Sequence, residues 1–222
     1  LKTPVGALAV LAEALSQEDD LDIIHRLSDK MVDEAIRVGR TIDDLLELSR
    51  IEFGGEAVKD EVDAGAIISE SISRVSPLAS THSIKVAMIE LATPLKVVGD
   101  RRQLVSAIGN LVENAVKYSE VGSAVEVSAQ ADGDSVEFTV KDFGLGIPSR
   151  DLDRVFERFY RVDRARSRDT GGTGLGLAIV RHVANNHGGD VSVTSIEGEG
   201  STFSLKIPKF VSRNPVTMRE SS

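Results

Sequence analysis

Asn110, Asn114 and Lys117 stand at steps of four and three within NLVENAVKY (110–118). On a helix, residues so spaced share one stripe, while Leu104, Ile108, Leu111 and Ala115 share the opposite, apolar one. Two carboxamides and an ammonium on one face suit phosphate chemistry. An amide oxygen is a hard ligand of the kind Mg²⁺ accepts while keeping most of its waters, and lysine supplies a point charge for a phosphate. The solvated face of an ordinary amphipathic helix would carry the same letters.

Two glycine-rich segments follow. In DFGLGIP (142–148), Asp142 closes a predicted strand, where a carboxylate can accept from an exocyclic amine such as that of adenine. Gly144 and Gly146 would let backbone approach a flat ring, although a loop needing positive φ would also use them. In GGTGLGL (171–177), glycines lead into a predicted helix over 174–186. Free N–H groups and the positive end of the dipole would then face an anion; a hinge is the plainer alternative. No Walker A lysine loop occurs, and Ile179 occupies the third glycine's place of a dinucleotide fingerprint. Between the two segments, residues 149–170 hold seven arginines (150, 154, 158, 161, 164, 166, 168) against five acids (151, 153, 157, 163, 169). That local excess suits a lid over phosphates, or simply a charged surface loop. Taken in order, the three segments describe an ATP pocket built without a Walker loop.

These residues need elements to position them. The chain of 222 residues is 41% hydrophobic with no Cys and a net charge of −9, which excludes disulfides and Cys-based zinc sites and argues against sequence-independent nucleic-acid binding. Residues 1–15 read as a helix, and a long helix follows from Asp20 to about Glu52. Its seam of Ile24, Met31, Ala35, Val38, Ile42 and Leu45, with Ser28 and Ser49 in register, is heptad-like. Fifteen residues cannot cover so long a stripe, so pairing with a second hairpin into a four-helix bundle dimer is expected. Gly54 and Gly55 open a linker over 54–62. From 63 to 209, helices over 64–79, 101–118 and 174–186 alternate with strands over 84–89, 96–98, 125–131, 136–141, 191–196 and 202–207. The expected fold class is α+β: a helical hairpin followed by a two-layer α/β sandwich with helices on one face. A disordered tail over 210–222 is expected.

In order and spacing these segments resemble the catalytic core of two-component sensor histidine kinases. NLVENAVKY is similar to the N box, DFGLGIP to the G1 box, FERFYR (156–161) to the F box, GGTGLGL to the G2 box and GEGSTF (198–203) to the last glycine motif. The resemblance covers residues 1 to about 208. It implies the Bergerat ATP-binding fold with ATP and Mg²⁺ as cofactors. Asp142 would bond adenine, Asn114 would bind Mg²⁺, and Asn110, Lys117 and Arg158 would surround the phosphates. Tyr118 would lie against the nucleoside and Thr202 near the adenine end. Gly144, Gly146 and Ile147 would frame the base; Gly172, Thr173, Gly174, Leu175, Gly176 and Leu177 would frame the phosphates. Gyrase-type relatives carry a glutamate that activates water where Asn110 stands; a carboxamide is a poor base, which suits a kinase that spares its ATP.

LKTPVGAL (1–8) resembles the end of the H box, H-E-L-K-T-P, so the phosphoacceptor histidine is expected just before Leu1. His25, His82, His182 and His187 lie outside that box. Thr3 takes the place of the threonine tied to phosphatase activity in this family. The resemblance further implies a homodimer, a response-regulator receiver domain as partner, and a cytoplasmic position in a protein anchored to a membrane through preceding segments. A histidine-independent ATPase or serine kinase of the same superfamily, and a non-catalytic scaffold, are the competing expectations.

Overall fold

The computed structural model describes residues 2–53, 60–89, 93–162 and 172–210. Helix α1 (Lys2–Ser16) and helix α2 (Leu21–Phe53) form the hairpin. The Asp20 carboxylate starts α2 by accepting the Asp22 N–H at 2.9 Å, a side-chain cap on otherwise unsatisfied donors. At about 1.5 Å per residue, α2 is roughly 50 Å long. Its seam is divided. Ile24, Met31, Val38 and Leu45 are half-buried, whereas Ala35 and Ile42 are exposed. Val32, Ile36, Ile42 and Leu46 are 58, 50, 44 and 50% exposed, so α1 covers only part of the apolar surface of α2. Leu48 and Ile51 are buried in the core of the second unit. Thr3 lies at a position whose side chain is outside the described residues.

The second unit begins with strand β1 (Asp60–Asp63), which pairs antiparallel with β3 (Lys96–Gly99). The expected linker over 54–62 is therefore corrected at its end: residues 60–62 are strand, because Val62 faces Val97 across the ladder and is buried. Helix α3 (Ala64–Thr81) and strand β2 (Lys85–Met88) precede β3, and helix α4 (Arg101–Tyr118) follows it. Strands β4 (Ala124–Asp132) and β5 (Ser135–Asp142) form a hairpin; helix α5 (Gly176–Asn186) leads to β6 (Asp190–Ile196) and β7 (Gly200–Pro208). The main sheet runs β2-β4-β5-β7-β6, with β2 and β4 parallel and the other pairs antiparallel. Alternate residues of the strands (Val125 and Val127, Val136, Phe138 and Val140, Leu205 and Ile207) pack with Ile67, Leu104, Ile108, Leu111 and Ile179 of the helices in one core. The period-two pattern thus places three helices on one face of a sheet, as the α+β reading expected. Beyond the last strand, the Phe210 N–H donates to Lys96 O at 2.9 Å; the rest of the expected disordered tail, 211–222, lies outside the described residues.

The helix carrying the asparagines is anchored at its start by a buried imidazole. His187, 3% exposed, accepts the Asp100 N–H on Nε2 at 2.9 Å, and its Nδ1 lies 2.7 Å from Val183 O. A donor to a carbonyl and an acceptor from an amide together define a neutral ring with the proton on Nδ1. Asp100 also caps α4 through its side chain, accepting from Arg102 N–H at 2.8 Å. His187→Ala is expected to cost about 2–4 kcal/mol in urea unfolding, from the cavity and the orphaned amide; a loss under about 1 kcal/mol would show that this bridge does not hold α4 in place.

Candidate active site

A cleft of about 1150 Å³ opens between α4, the loop after β5 and the start of α5, a little above the usual range of about 300–1,000 Å³ for small-molecule sites. From α4, Asn110, Asn114, Lys117 and Tyr118 line it. The helical stripe read from the sequence therefore faces a cavity rather than bulk solvent. Asn110 Nδ2 donates to Ser106 O at 3.0 Å, which turns its amide oxygen toward α5: a Cβ on Gly176 would lie 2.5 Å from that oxygen. Lys117 pairs with Glu113 at 2.5 Å, one turn back on the same helix.

Asp142 ends β5 on the inward parity of Val136, Phe138 and Val140 and is 4% exposed. Its Oδ1 accepts the Gly144 N–H at 3.0 Å and the Ser201 N–H at 3.2 Å, while Oδ2 accepts nothing among the described residues. Burial pushes the carboxyl above its usual range, and the two N–H groups pull it partly back. One of its two neighbouring glycines differs from expectation. Gly144 does not open the way to a ring; its missing Cβ would stand 2.0 Å from Tyr118 O, so the glycine lets the loop dock on the end of α4, where Leu145 N–H bonds Tyr118 O at 3.0 Å. Gly146 does border the cleft, with Ile147, and its φ of +64° and the nearness of Ile196 O (2.1 Å from a built Cβ) demand glycine.

Thr202 is also corrected. Along β7, Ser201, Phe203, Leu205 and Ile207 are buried and face inward, so Thr202 points to the other face of the sheet. The hydroxyl at the cleft belongs to Ser201, which lines it. The inward run of 203, 205 and 207 was a signal in the sequence that could have found this.

Gly172, Thr173, Gly174, Gly176 and Leu177 border the cleft at the start of α5, but Leu175 does not: it is fully buried in the core. Gly174, at φ +74°, lets the loop cross Phe159, whose Cα lies 2.9 Å from a built Cβ. Of the arginine-rich segment, Arg158 is corrected. It reaches away from the cleft to pair with Glu52 of α2, beside His182. Arg161 takes the cleft position, donating to Gly172 O at 2.6 Å; burial lowers its guanidinium pKa, while Tyr118, to which it also bonds, raises it. Arg150 lines the cleft as well, and Arg154 stacks 4.2 Å over the Tyr160 ring. Arg164, Arg166 and Arg168, and Gly171, lie outside the described residues. Sequence reasoning also missed a whole wall: Arg40, Asp43 and Asp44 of α2 border the cleft, and nothing in the local pattern of α2 announces that the second unit docks there.

An inward carboxylate at a strand end, a helix stripe of asparagines and a glycine-rich helix start surround one cleft, in a chain that two family models match. Residues 99–210 match the histidine kinase-, DNA gyrase B- and HSP90-like ATPase family, and residues 1–54 match the His kinase A (phospho-acceptor) domain. The chain belongs to the sensor histidine kinase family. Among its relatives, the sensor-like histidine kinase SenX3 of Mycolicibacterium smegmatis is 49% identical over 213 residues, which is 95% of this chain and 55% of SenX3. The chain thus spans about half the length of the curated relatives it matches. A crystal structure of full-length ShkA in complex with AMPPNP superposes with a TM-score of 0.69 at 27% identity, covering 95% of this chain and 44% of that one. Histidine kinase ThkA in complex with the response regulator TrrA has the same fold, with a TM-score of 0.74 at 20% identity over 94% of this chain and 58% of ThkA. The helical hairpin followed by an α/β sandwich ATPase unit is the architecture of this family.

Proposed function

We propose that this chain is the ATP-binding, phosphoryl-donating core of a sensor histidine kinase: it binds Mg-ATP, its γ-phosphoryl group passes to a histidine of the phosphoacceptor hairpin, and from there to an aspartate of a response-regulator receiver domain. The observation that carries this reading is Asp142, a buried carboxylate held by two backbone N–H groups on one oxygen and set at the wall of the cleft. An acceptor so placed selects the exocyclic amine of adenine over the carbonyl of guanine. ShkA, of the same fold, is described with the ATP analogue AMPPNP.

The donor set also suits Mg²⁺. The described residues include no group of three or more His, Cys, Asp or Glu side chains able to hold a metal, but Asn114 offers an amide oxygen at the cleft. Mg²⁺ takes few protein ligands and completes its octahedron with phosphates and water. When bound, it would neutralise charge developing on the transferred phosphoryl group. Lys117 and Arg161 would hold the phosphates, and the N–H groups opening α5 would add the positive end of the helix dipole. Asn110, whose amide cannot act as a base, would orient the donor without activating water.

The resemblance of LKTP to the H box implies a phosphoacceptor histidine just before Leu1, and it gives Thr3 the place of the threonine tied to dephosphorylation of the regulator. The exposed apolar residues of α2 fit a second hairpin, giving a homodimer built as a four-helix bundle; ThkA, similar in fold, is described with its regulator TrrA. No helix of the described residues is long and apolar enough to cross a membrane; a cytoplasmic position beside a membrane anchor is what the resemblance to sensor histidine kinases implies. The test is phosphoryl transfer in trans. Mixed with γ-³²P-ATP, Mg²⁺ and a hairpin bearing the H-box histidine, the chain is expected to label that histidine with an acid-labile, alkali-stable phosphate. Labelling of no histidine-bearing hairpin would overturn the kinase reading.

A further inference from the structure

One side chain of the hairpin reaches the glycine-rich loop at the start of α5. Thr173 Oγ1, in the glycine-rich loop, donates to Asp44 Oδ2 of α2 at 2.5 Å and accepts the Leu175 N–H at 3.2 Å. The loop's one hydroxyl proton is thus committed to a carboxylate from outside the ATP-binding unit. Helix α5 begins directly after, with Leu175 at its N-cap and no side-chain cap, so its first N–H groups and dipole attract negative charge. Asp44 lines the same cleft as Asn110, Asn114 and Lys117. It is half-buried; burial raises its carboxyl pKa and the Thr173 hydroxyl lowers it.

This contact belongs to a docked face. Two turns further along α2, the Ile51 carbonyl accepts from Asn186 Nδ2 at 2.9 Å, and Glu52 meets Arg158 and lies 3.2 Å from His182 Nε2. Residues 44, 51 and 52 share one side of the helix. The lower contacts hold α2 against the second unit, and Asp44 is the point at which that docking reaches the loop.

We propose that the Asp44 carboxylate is an affinity-determining group of the nucleotide site: it competes with the terminal phosphates of ATP for the Thr173 hydroxyl and the start of α5, so that docking of α2 and tight binding of the triphosphate oppose each other. The inference rests on the cleft being the ATP site. Two anions cannot share one donor and one helix end without repulsion, and the loop must give up Asp44 to close on a phosphate. Linkage then requires the reverse effect, that bound ATP loosens α2 from the second unit by the same factor.

The test is calorimetry of the whole chain with Mg-ATP and with AMP. Asp44→Ala is expected to tighten Mg-ATP about three- to tenfold, the size of one partly exposed charge-assisted hydrogen bond, and to leave AMP within about twofold, since AMP lacks the terminal phosphates. Asp43→Ala removes the same charge one residue earlier, without the bond to Thr173, and is expected to tighten Mg-ATP by less than about twofold. Circular dichroism checks that α2 is intact, and Asp44→Asn, which keeps the shape and a neutral acceptor, should fall between wild type and Asp44→Ala. Equal tightening by the Asp43 and Asp44 variants, or equal tightening of AMP and ATP, would show only a loss of local charge and overturn the proposal. Unchanged Mg-ATP affinity in Asp44→Ala, with wild type binding normally, overturns it too and leaves the nucleotide reading standing. Failure of both chains to bind Mg-ATP overturns the nucleotide reading itself.

Discussion

Asp142→Asn is expected to weaken Mg-ATP binding about 30-fold, or about 2 kcal/mol, while leaving the fold intact. The substitution keeps an oxygen for the Gly144 and Ser201 N–H groups that now bond Oδ1. Those two donors fix which way the new amide points. Its NH₂ must then replace Oδ2, and it meets the exocyclic amine of adenine donor to donor. The buried setting makes that mismatch costly, because neither group can turn to water. Desolvation of a carboxylate is relieved by the same change, so thermal stability should hold or rise; a large fall in the melting temperature would assign Asp142 a structural role instead. Nucleotide specificity gives a second readout. A base with a carbonyl at the same position, such as hypoxanthine, should gain relative to adenine. Equal affinities of wild type and variant for ATP by calorimetry would remove Asp142 from the adenine contact.

Asn114→Ala is expected to act on the metal rather than the base. Asn114 lies one turn beyond Asn110 on the cleft face of α4, next to the buried residues Ala115 and Val116. Its side chain is half-buried and is not part of the core, so the variant should fold normally. Transfer to a histidine-bearing hairpin should fall about 10²- to 10³-fold, the usual effect of removing one preorganised group that stabilises developing charge. The distinguishing measurement is nucleotide affinity with and without the ion. In excess EDTA the variant and the wild type should bind ATP alike, and only Mg²⁺ should separate them. A variant that transfers phosphate at the wild-type rate, or that loses ATP affinity equally in EDTA, would place Asn114 elsewhere than at the metal.

The residues read as chemistry were legible in the sequence where the side chain's direction followed from a local period. Asn110, Asn114 and Lys117 share a helix stripe opposite a buried one, so the helix alone brings them to one wall. Asp142 ends a run of alternate inward residues, so strand parity alone turns it toward the core side. Both are consequences of fixed backbone geometry. Local period does not decide the remaining positions. Motif position points to Thr202, but parity from Phe203 onward turns Ser201 inward and Thr202 out. The glycine-rich motif alone makes Gly144 a seat for a ring; only the packed structure shows Tyr118 O standing where its Cβ would be. Arg158 and Arg161 lie three apart in an irregular segment with no period to sort them, and partners distant in the chain decide between them: Glu52 draws Arg158 outward, and Gly172 O and Tyr118 hold Arg161 at the cleft.

The sequence by itself determined the two units, the order of their elements and a nucleotide site without a Walker loop, because helix stripes, strand alternation and glycine-rich turns are local properties of a chain. Tertiary structure alone decided how the units meet. The long helix shows a heptad seam and says nothing of the face it offers to the second unit. Packing of Leu48 and Ile51 into that unit's core, with Asn186, Arg158 and His182 gathered on the end of α2, brings Asp44 to Thr173 across 129 residues of chain. Contacts so remote depend on the summed burial of a whole interface, which no short stretch of sequence contains.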